Sequence, residues 1–197
     1  MYLKHYNLVL KPFEISPDPK FLWLGENHEE ALAAVKYGIL DNKGFISLTG
    51  DAGTGKTTLV NALANSLGDN IIFAQIPDPA LKQLDFLNLT ADALKMNKKF
   101  STKGDFLIHL RHFLNKAYVH HKEVVLVIEE AHRFDPERLE EVRLLSNIDK
   151  PDKKLINIVF VGQNEFNILL KENKALRQRI VISHNINPLQ EIETDQY

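Results

Sequence analysis

The sequence predicts an α/β fold, a parallel sheet with helices on both faces. Three observations predict it. Apolar, β-rich runs alternate with segments of helical periodicity along most of the 197 residues. One run, Val124–Ile128, is apolar without alternation, which marks a strand buried on both faces of a parallel sheet. A glycine-rich loop stands between the first such run and the helix after it.

The elements follow in order. Pro12, Pro17 and Pro19 forbid a helix at the start, so an extended arm is expected there. Its aromatics Tyr2, Tyr6, Phe13, Phe21 and Trp23 either cover apolar surface or wall a ligand site. Leu32, Val35 and Ile39 give a helical stripe after Asn27, and Gly44 ends that segment. Phe45–Thr49 reads as a buried strand. Leu59, Val60, Leu63 and Leu67 share the next helix face, with Gly68 expected as its C-cap. Ile71–Ile76 is the second strand. Asp78-Pro79 is expected to cap a helix carrying Leu84, Leu87, Ala91 and Leu94. A lysine-rich loop leads to a helix with Phe106, Leu110, Phe113, Leu114 and Ala117 inward. After the Val124–Ile128 strand, Asp135-Pro136 caps a helix with Leu139, Val142 and Leu145 inward. Leu155–Val161 is the fourth strand. Short helices follow at 166–170 and 175–179, then a last strand at 180–183. Pro188 breaks the chain, and Gln190–Tyr197 reads as the start of another helix.

Composition excludes several classes. No cysteine is present, which removes disulfides, thiolate metal sites and thiol nucleophiles. No apolar run approaches the 18 or so residues of a membrane span, and no signal peptide is evident at the start. A net charge of −2 supplies no global attraction to nucleic acid.

The sharpest motif is Gly50-Asp51-Ala52-Gly53-Thr54-Gly55-Lys56-Thr57, which fits G-x-x-x-x-G-K-[ST]. Chance produces it in roughly one chain of this length in 150. The strand before it and the helix after it supply the context the chemistry needs. Glycines let the backbone aim N–H groups inward, and a helix N-terminus adds positive potential. Lys56 is expected on the β- and γ-phosphates of a nucleotide, the Thr57 hydroxyl on Mg²⁺, and Thr58 near the α-phosphate. The apolar run Val124–Ile128 ends in Glu129 and Glu130. Acids there face a cation or water: Glu129 is the candidate Mg²⁺ ligand and Glu130 the base for the attacking water, the alternative being a solvated cap. Gln163 and Asn164 follow the fourth strand and can orient that water, or serve only as a turn. Arg177 and Arg179 precede the last strand. They are candidates for a neighbouring subunit's γ-phosphate, or surface arginines. His109 and His112 read as a solvated helix face. Lys95, Lys98, Lys99 and Lys103 read as a solvated basic loop with nucleic-acid contact as the lesser option.

These residues together resemble the general secretion pathway protein A group (ExeA/GspA-type) of AAA+ ATPases. The resemblance rests on Tyr2-Leu3-Lys4-His5-Tyr6, Pro12-Phe13, Pro17-Asp18-Pro19, Phe21-Leu22, His28 with Ala31-Leu32, Leu144-Leu145-Ser146-Asn147, Val161-Gly162-Gln163 and Leu176-Arg177-Gln178-Arg179-Ile180. It implies a P-loop NTPase of AAA+ type, a three-layer α/β/α sandwich whose five parallel strands run 5-1-4-3-2. The helical lid is largely absent, since the chain ends after Asn187-Pro188-Leu189. It also implies ATP/ADP and Mg²⁺ as cofactors and self-association into a ring. An inner-membrane secretion partner is implied, and peptidoglycan contact only through regions absent here. The core would be cytoplasmic and the full-length protein tethered to the inner membrane. Glu129 departs from the aspartate usual in the family, so metal binding is expected to survive better than turnover.

The expected organisation is an arm and leading helix at 1–44, an ATPase core at 45–187 and the start of a truncated lid at 188–197. The expected function is an ATPase driving assembly or remodelling of a secretion or envelope complex. The alternatives are a nucleotide-gated assembly switch with little hydrolysis, and a DNA-targeting ATPase of the transposition type. The base pocket is expected near Phe21 and Leu22.

Overall fold

A computed structural model describes residues 2–7, 9, 23–151 and 153–196. Pro12, Phe13, Pro17, Pro19, Phe21 and Leu22, on which the arm was expected, lie outside them. One turn, α1 (Tyr2–His5), is helical where extended chain was expected; no proline falls within it.

Two helices flank the first strand: α2 (Glu26–Leu40), β1 (Phe45–Gly50) and α3 (Lys56–Ser66). Then come β2 (Ile71–Ile76), α4 (Gln83–Ala93), α5 (Lys103–Val119) and β3 (Glu123–Ile128). A short 3-10 turn, Ala131–Arg133, leads to α6 (Pro136–Leu145). A hairpin of β4 (Asp149–Lys150) and β5 (Lys153–Lys154) was not anticipated; two-residue strands carry no periodicity to read. The chain continues through β6 (Asn157–Gly162), α7 (Phe166–Glu172), α8 (Lys174–Arg177), β7 (Ile180–Ile186) and α9 (Glu191–Gln196).

The main sheet has the order β2-β3-β6-β1-β7, and every pairing is parallel. Counting its five strands alone, this is the expected 5-1-4-3-2. Side chains alternate between two cores. Val124, Leu126 and Ile128 face one with Phe160 and helices α4 to α8, while Val125 and Val127 face the other with α2 and α3. Both faces of β3 are therefore dry, which is why its sequence lacks alternation. Each fully covered Leu, Ile, Val or Phe contributes about 1.5–3 kcal/mol of burial. That term, rather than local propensity, fixes the helices on the sheet.

Several local expectations fail for identifiable reasons. Asp135 does cap α6, accepting from the Arg138 N–H at 2.8 Å with Pro136 at the first helical position. Asp78 closes only a turn, accepting from the Ala80 N–H at 2.9 Å, and α4 begins five residues later with Lys82 at its N-cap. Leu84 is accordingly exposed, and Phe86 takes the inward position. Gly68 is not a left-handed cap: α3 ends at Ser66 and leaves through extended Leu67. The last strand runs on to Ile186, because its pairing with β1 continues to Gly50.

Candidate nucleotide site

The loop 50–57 joins the C-terminal end of β1 to α3. Gly50 lies against the Ile186 carbonyl and the Thr54 hydroxyl, where no Cβ could fit. Gly53 and Gly55 hold φ of 81° and 82°, the left-handed region that glycine enters without strain. Gly55 occupies the N-cap of α3, which has no side-chain cap and no acid in its first turn. The helix thus presents amide donors and positive potential to the loop's interior.

Lys56 bends back over this loop. Its ammonium donates to the carbonyls of Gly50 at 2.9 Å and Asp51 at 2.6 Å. Burial pushes that ammonium below its ordinary value, and the charges of Glu130, Asp51 and Glu165 push it back up in part. A phosphate in the loop would supply the missing counter-charge.

Thr57 and Glu129 meet across the α3–β3 gap. The Thr57 hydroxyl donates to Glu129 Oε2 at 2.5 Å, and Gln75 Nε2 donates to Oε1 at 2.5 Å. Glu129 is buried. Two hard oxygens converging beside a phosphate loop fit a small divalent cation. Gln75, on β2, had no sequence signal beyond its place in an apolar strand.

Glu130 sits with φ of 51° and ψ of 34° at the start of the 3-10 turn. His132 faces it, Nε2 lying 3.5 Å from Glu130 Oε2. His132 Nδ1 accepts from the Gln163 N–H at 3.3 Å, so the ring carries its proton on Nε2 when neutral. The tip of β6 therefore orients the imidazole that faces Glu130. Asn164 donates to Asp51 Oδ1 at 2.7 Å and accepts from Asn185 Nδ2 at 2.6 Å. Asn185 also donates to the Thr49 hydroxyl at 3.2 Å. A polar chain from β7 through β6 thus reaches the phosphate loop. Gln163 is not part of that chain: its backbone N–H goes to His132.

The two arginines stand elsewhere. Arg179 donates to Asn147 Oδ1 at 2.7 Å and lies near Ser146, while Arg177 is exposed at the end of α8. Among the described residues neither hydrogen-bonds the loop 50–57.

A cavity of about 410 Å³ adjoins the loop, lined by Trp23, Leu24, His28, Ala52–Gly55, Thr58, Pro188 and Leu189. Apolar walls beside phosphate-type donors suit a planar base. The expected pocket residues Phe21 and Leu22 lie outside the described residues; Trp23 and Leu24, next in sequence, line the cavity. His28 closes its floor by donating from Nε2 to the Thr54 carbonyl at 2.9 Å, while its Nδ1 is buried without a partner among the described residues. Glu193 of α9 accepts from the Glu26 N–H at 3.2 Å and fills the space beside Gly25. That contact ties the start of α2 to the segment after Leu189.

Fold and loop define a nucleotide-binding class, and the comparisons agree. The family model for the AAA domain matches residues 39–170, and the chain belongs to that family. Over its whole length it is similar to general secretion pathway protein A of Aeromonas hydrophila, 37% identical across 201 aligned residues. The chain spans 37% of that relative's length. Among solved structures, the Aeropyrum pernix ORC2 protein in its ADPNP–ADP complexes matches with a TM-score of 0.69 at 18% identity, over 92% of this chain and 52% of that one. The CDC6P protein of Pyrobaculum aerophilum gives 0.64 at 18% identity, over 90% and 49%. At such identities these two bear on the fold alone. No helix among the described residues is long and apolar enough to cross a membrane.

Proposed function

We propose that this chain binds ATP with Mg²⁺ in the loop 50–57, hydrolyses it, and uses the cycle to assemble or remodel a bacterial secretion or envelope complex. The Thr57–Glu129 hydrogen bond carries the reading, because it pairs the two ligands such a site needs at the mouth of the phosphate loop. In this reading the amides of Gly53–Thr58 and the Lys56 ammonium hold the phosphates, and the base lies against Trp23, Leu24 and Leu189. Mg²⁺, when bound to Thr57 and Glu129, supplies the positive charge that neutralises the phosphate oxygens. Glu130 takes the proton of the attacking water, and His132 fixes its carboxylate. Asn164, steadied by Asn185, lies over the loop on the side of Asp51 and orients that water. Residues 45–187 form the ATPase core, with 188–197 as the start of a lid.

Self-association follows from the same chemistry. Arg177, exposed and outside the hydrogen bonding of the site, is the better candidate for a neighbour's γ-phosphate; Arg179 is engaged by Asn147 and Ser146. The link to secretion rests on the similarity to general secretion pathway protein A. An inner-membrane partner and membrane tethering of the longer protein belong to that same reading.

A second reading is favoured by one observation. Both oxygens of Glu129 are already engaged, by Thr57 and by Gln75. A carboxylate held this firmly suits an assembly switch that binds nucleotide and seldom turns it over.

Steady-state ATP hydrolysis with Mg²⁺ across a range of protein concentrations separates the two, with Lys56→Ala as the blank. The ATPase reading expects specific activity that rises with concentration and vanishes in the blank. No activity above the blank, with an ATP-dependent rise in mass by light scattering, leaves the switch. Neither activity nor nucleotide binding sinks both.

A further inference from the structure

A second cavity, of about 770 Å³, lies away from the phosphate loop. Its walls are apolar: Ile72, Met96, Phe100, Phe113 and Ala117. Its rim is basic, with Lys95, Lys98, Lys116 and Lys122 joined by His109 and His120. No carboxylate lines it. Ile72 is the second residue of β2, and Lys122 directly precedes β3. The strands are parallel, so the cavity opens at their N-terminal ends, whereas the loop 50–57 caps the C-terminal end of β1. Six-residue strands place those two ends about 20 Å apart. Strands β3 and β6 also stand between β2 and β1.

The charge is unbalanced where it matters. Lys98 is matched: it donates to Asp105 at 3.2 Å and to His109 Nε2 at 3.0 Å, over the ring of Phe100. Among the described residues Lys95, Lys116 and Lys122 form no ion pair. The carbonyls at the end of α5 do not compensate them. Those of Lys116, Ala117 and Tyr118 already accept from the N–H groups of His120, Lys122 and His121. Lys95 also stands just past the end of α4 with φ of 56°, a position that favours glycine. A lysine held there in a disfavoured backbone sets a cation on the cavity wall.

We propose that this cavity binds an amphipathic anion, a phosphate or carboxylate head on an apolar body. The apolar floor takes the body, and Lys95, Lys116 and Lys122 take the head. A volume of this size encloses a small molecule. The same chemistry is offered by a free metabolite and by an anionic lipid.

The test uses the 197-residue chain and amide chemical shifts. The probes are octyl phosphate below its micelle-forming concentration, octanol, and inorganic phosphate. Octyl phosphate should shift Ile72, Met96–Lys98 and Phe113–Lys122 to the same extent whether or not ADP already occupies the loop 50–57. It should bind roughly tenfold or more tightly than either other probe, and weaken with salt. Lys95→Gln/Lys116→Gln/Lys122→Gln, all at exposed side chains, should lose about tenfold in affinity, while Lys171→Gln/Lys174→Gln should lose none. Equal affinity for octanol overturns the proposal, as does undiminished binding by the triple variant or shifts confined to 50–57. Sedimentation with phosphatidylglycerol vesicles then separates the sources. Binding displaced by octyl phosphate assigns a lipid head. Octyl phosphate binding without vesicle binding assigns a free ligand.

Discussion

The Thr57 hydroxyl donates to Glu129 across 72 residues of sequence, and Gln75 holds the same carboxylate from the far side. Gln75 therefore decides where the candidate metal ligand points. Gln75→Ala should raise the Mg²⁺ concentration needed for half-maximal nucleotide binding by about tenfold, the usual scale for an outer partner of a metal ligand. A Mg²⁺ titration at fixed nucleotide reads it, and binding at saturating Mg²⁺ should return to the original level.

In the proposed function, Glu130 and His132 separate binding from turnover. Glu130→Gln keeps shape and loses basicity, so phosphate release should fall by about a hundredfold or more with nucleotide affinity unchanged. His132→Ala should lower the same rate less, by about tenfold, because it removes the group that orients the base and not the base. An equal loss of nucleotide affinity in either variant would contradict these roles.

Trp23, the only tryptophan, lines the cavity beside Ala52–Gly55. Its emission should change on addition of ADP or ATP and saturate with the binding curve. Lys56→Ala should abolish the change at matched nucleotide concentrations, and a variant that still responds fully would separate the Trp23 signal from phosphate binding in the loop 50–57.

Glu141 supports the fold at a distance from this chemistry. Desolvation raises its carboxyl pKa, but hydrogen bonds from Lys103, Gln83 and Arg138 outweigh that and hold it below its ordinary 4.5. A carboxylate depressed in the folded state stabilises above its unfolded value, and that contribution disappears as pH falls through the folded value. Glu141→Gln should cost about 1–3 kcal/mol at neutral pH. The gap between variant and parent in urea melts should narrow below about pH 4.5.

What could be read from residues alone was whatever is written locally. The phosphate loop, the acid pair at 129–130 and the five strands each lie within a few consecutive residues. The cap at Asp135-Pro136 was legible, yet the same dipeptide at 78–79 only closes a turn. Nothing in the dipeptide distinguishes them; the first buried turn of α4, built around Phe86 and Leu87, sets that helix's start. Gln75, His132 and Asn185 went unseen because each acts through a partner on another element. His28 was noticed only as part of a resemblance. Its bond to Thr54 depends on α2 lying against α3, which periodicity does not specify. The basic loop at 95–103 divides in space. Lys103 pairs with Glu141, while Lys95 and Lys98 reach the second cavity.

The cavity beside the loop 50–57 is walled from both flanks of the core, by Trp23 and Leu24 before α2 and by Pro188 and Leu189 before α9. Glu193 pins one flank to the other at Glu26. On the proposed reading, a base seated there works as a strut between two distant stretches of chain. Free-energy linkage then runs both ways: whatever pries α9 from α2 loosens the nucleotide by the same factor that the nucleotide resists the prying. Tension on either flank would be registered as a weaker nucleotide affinity, with no change in any residue that touches phosphate.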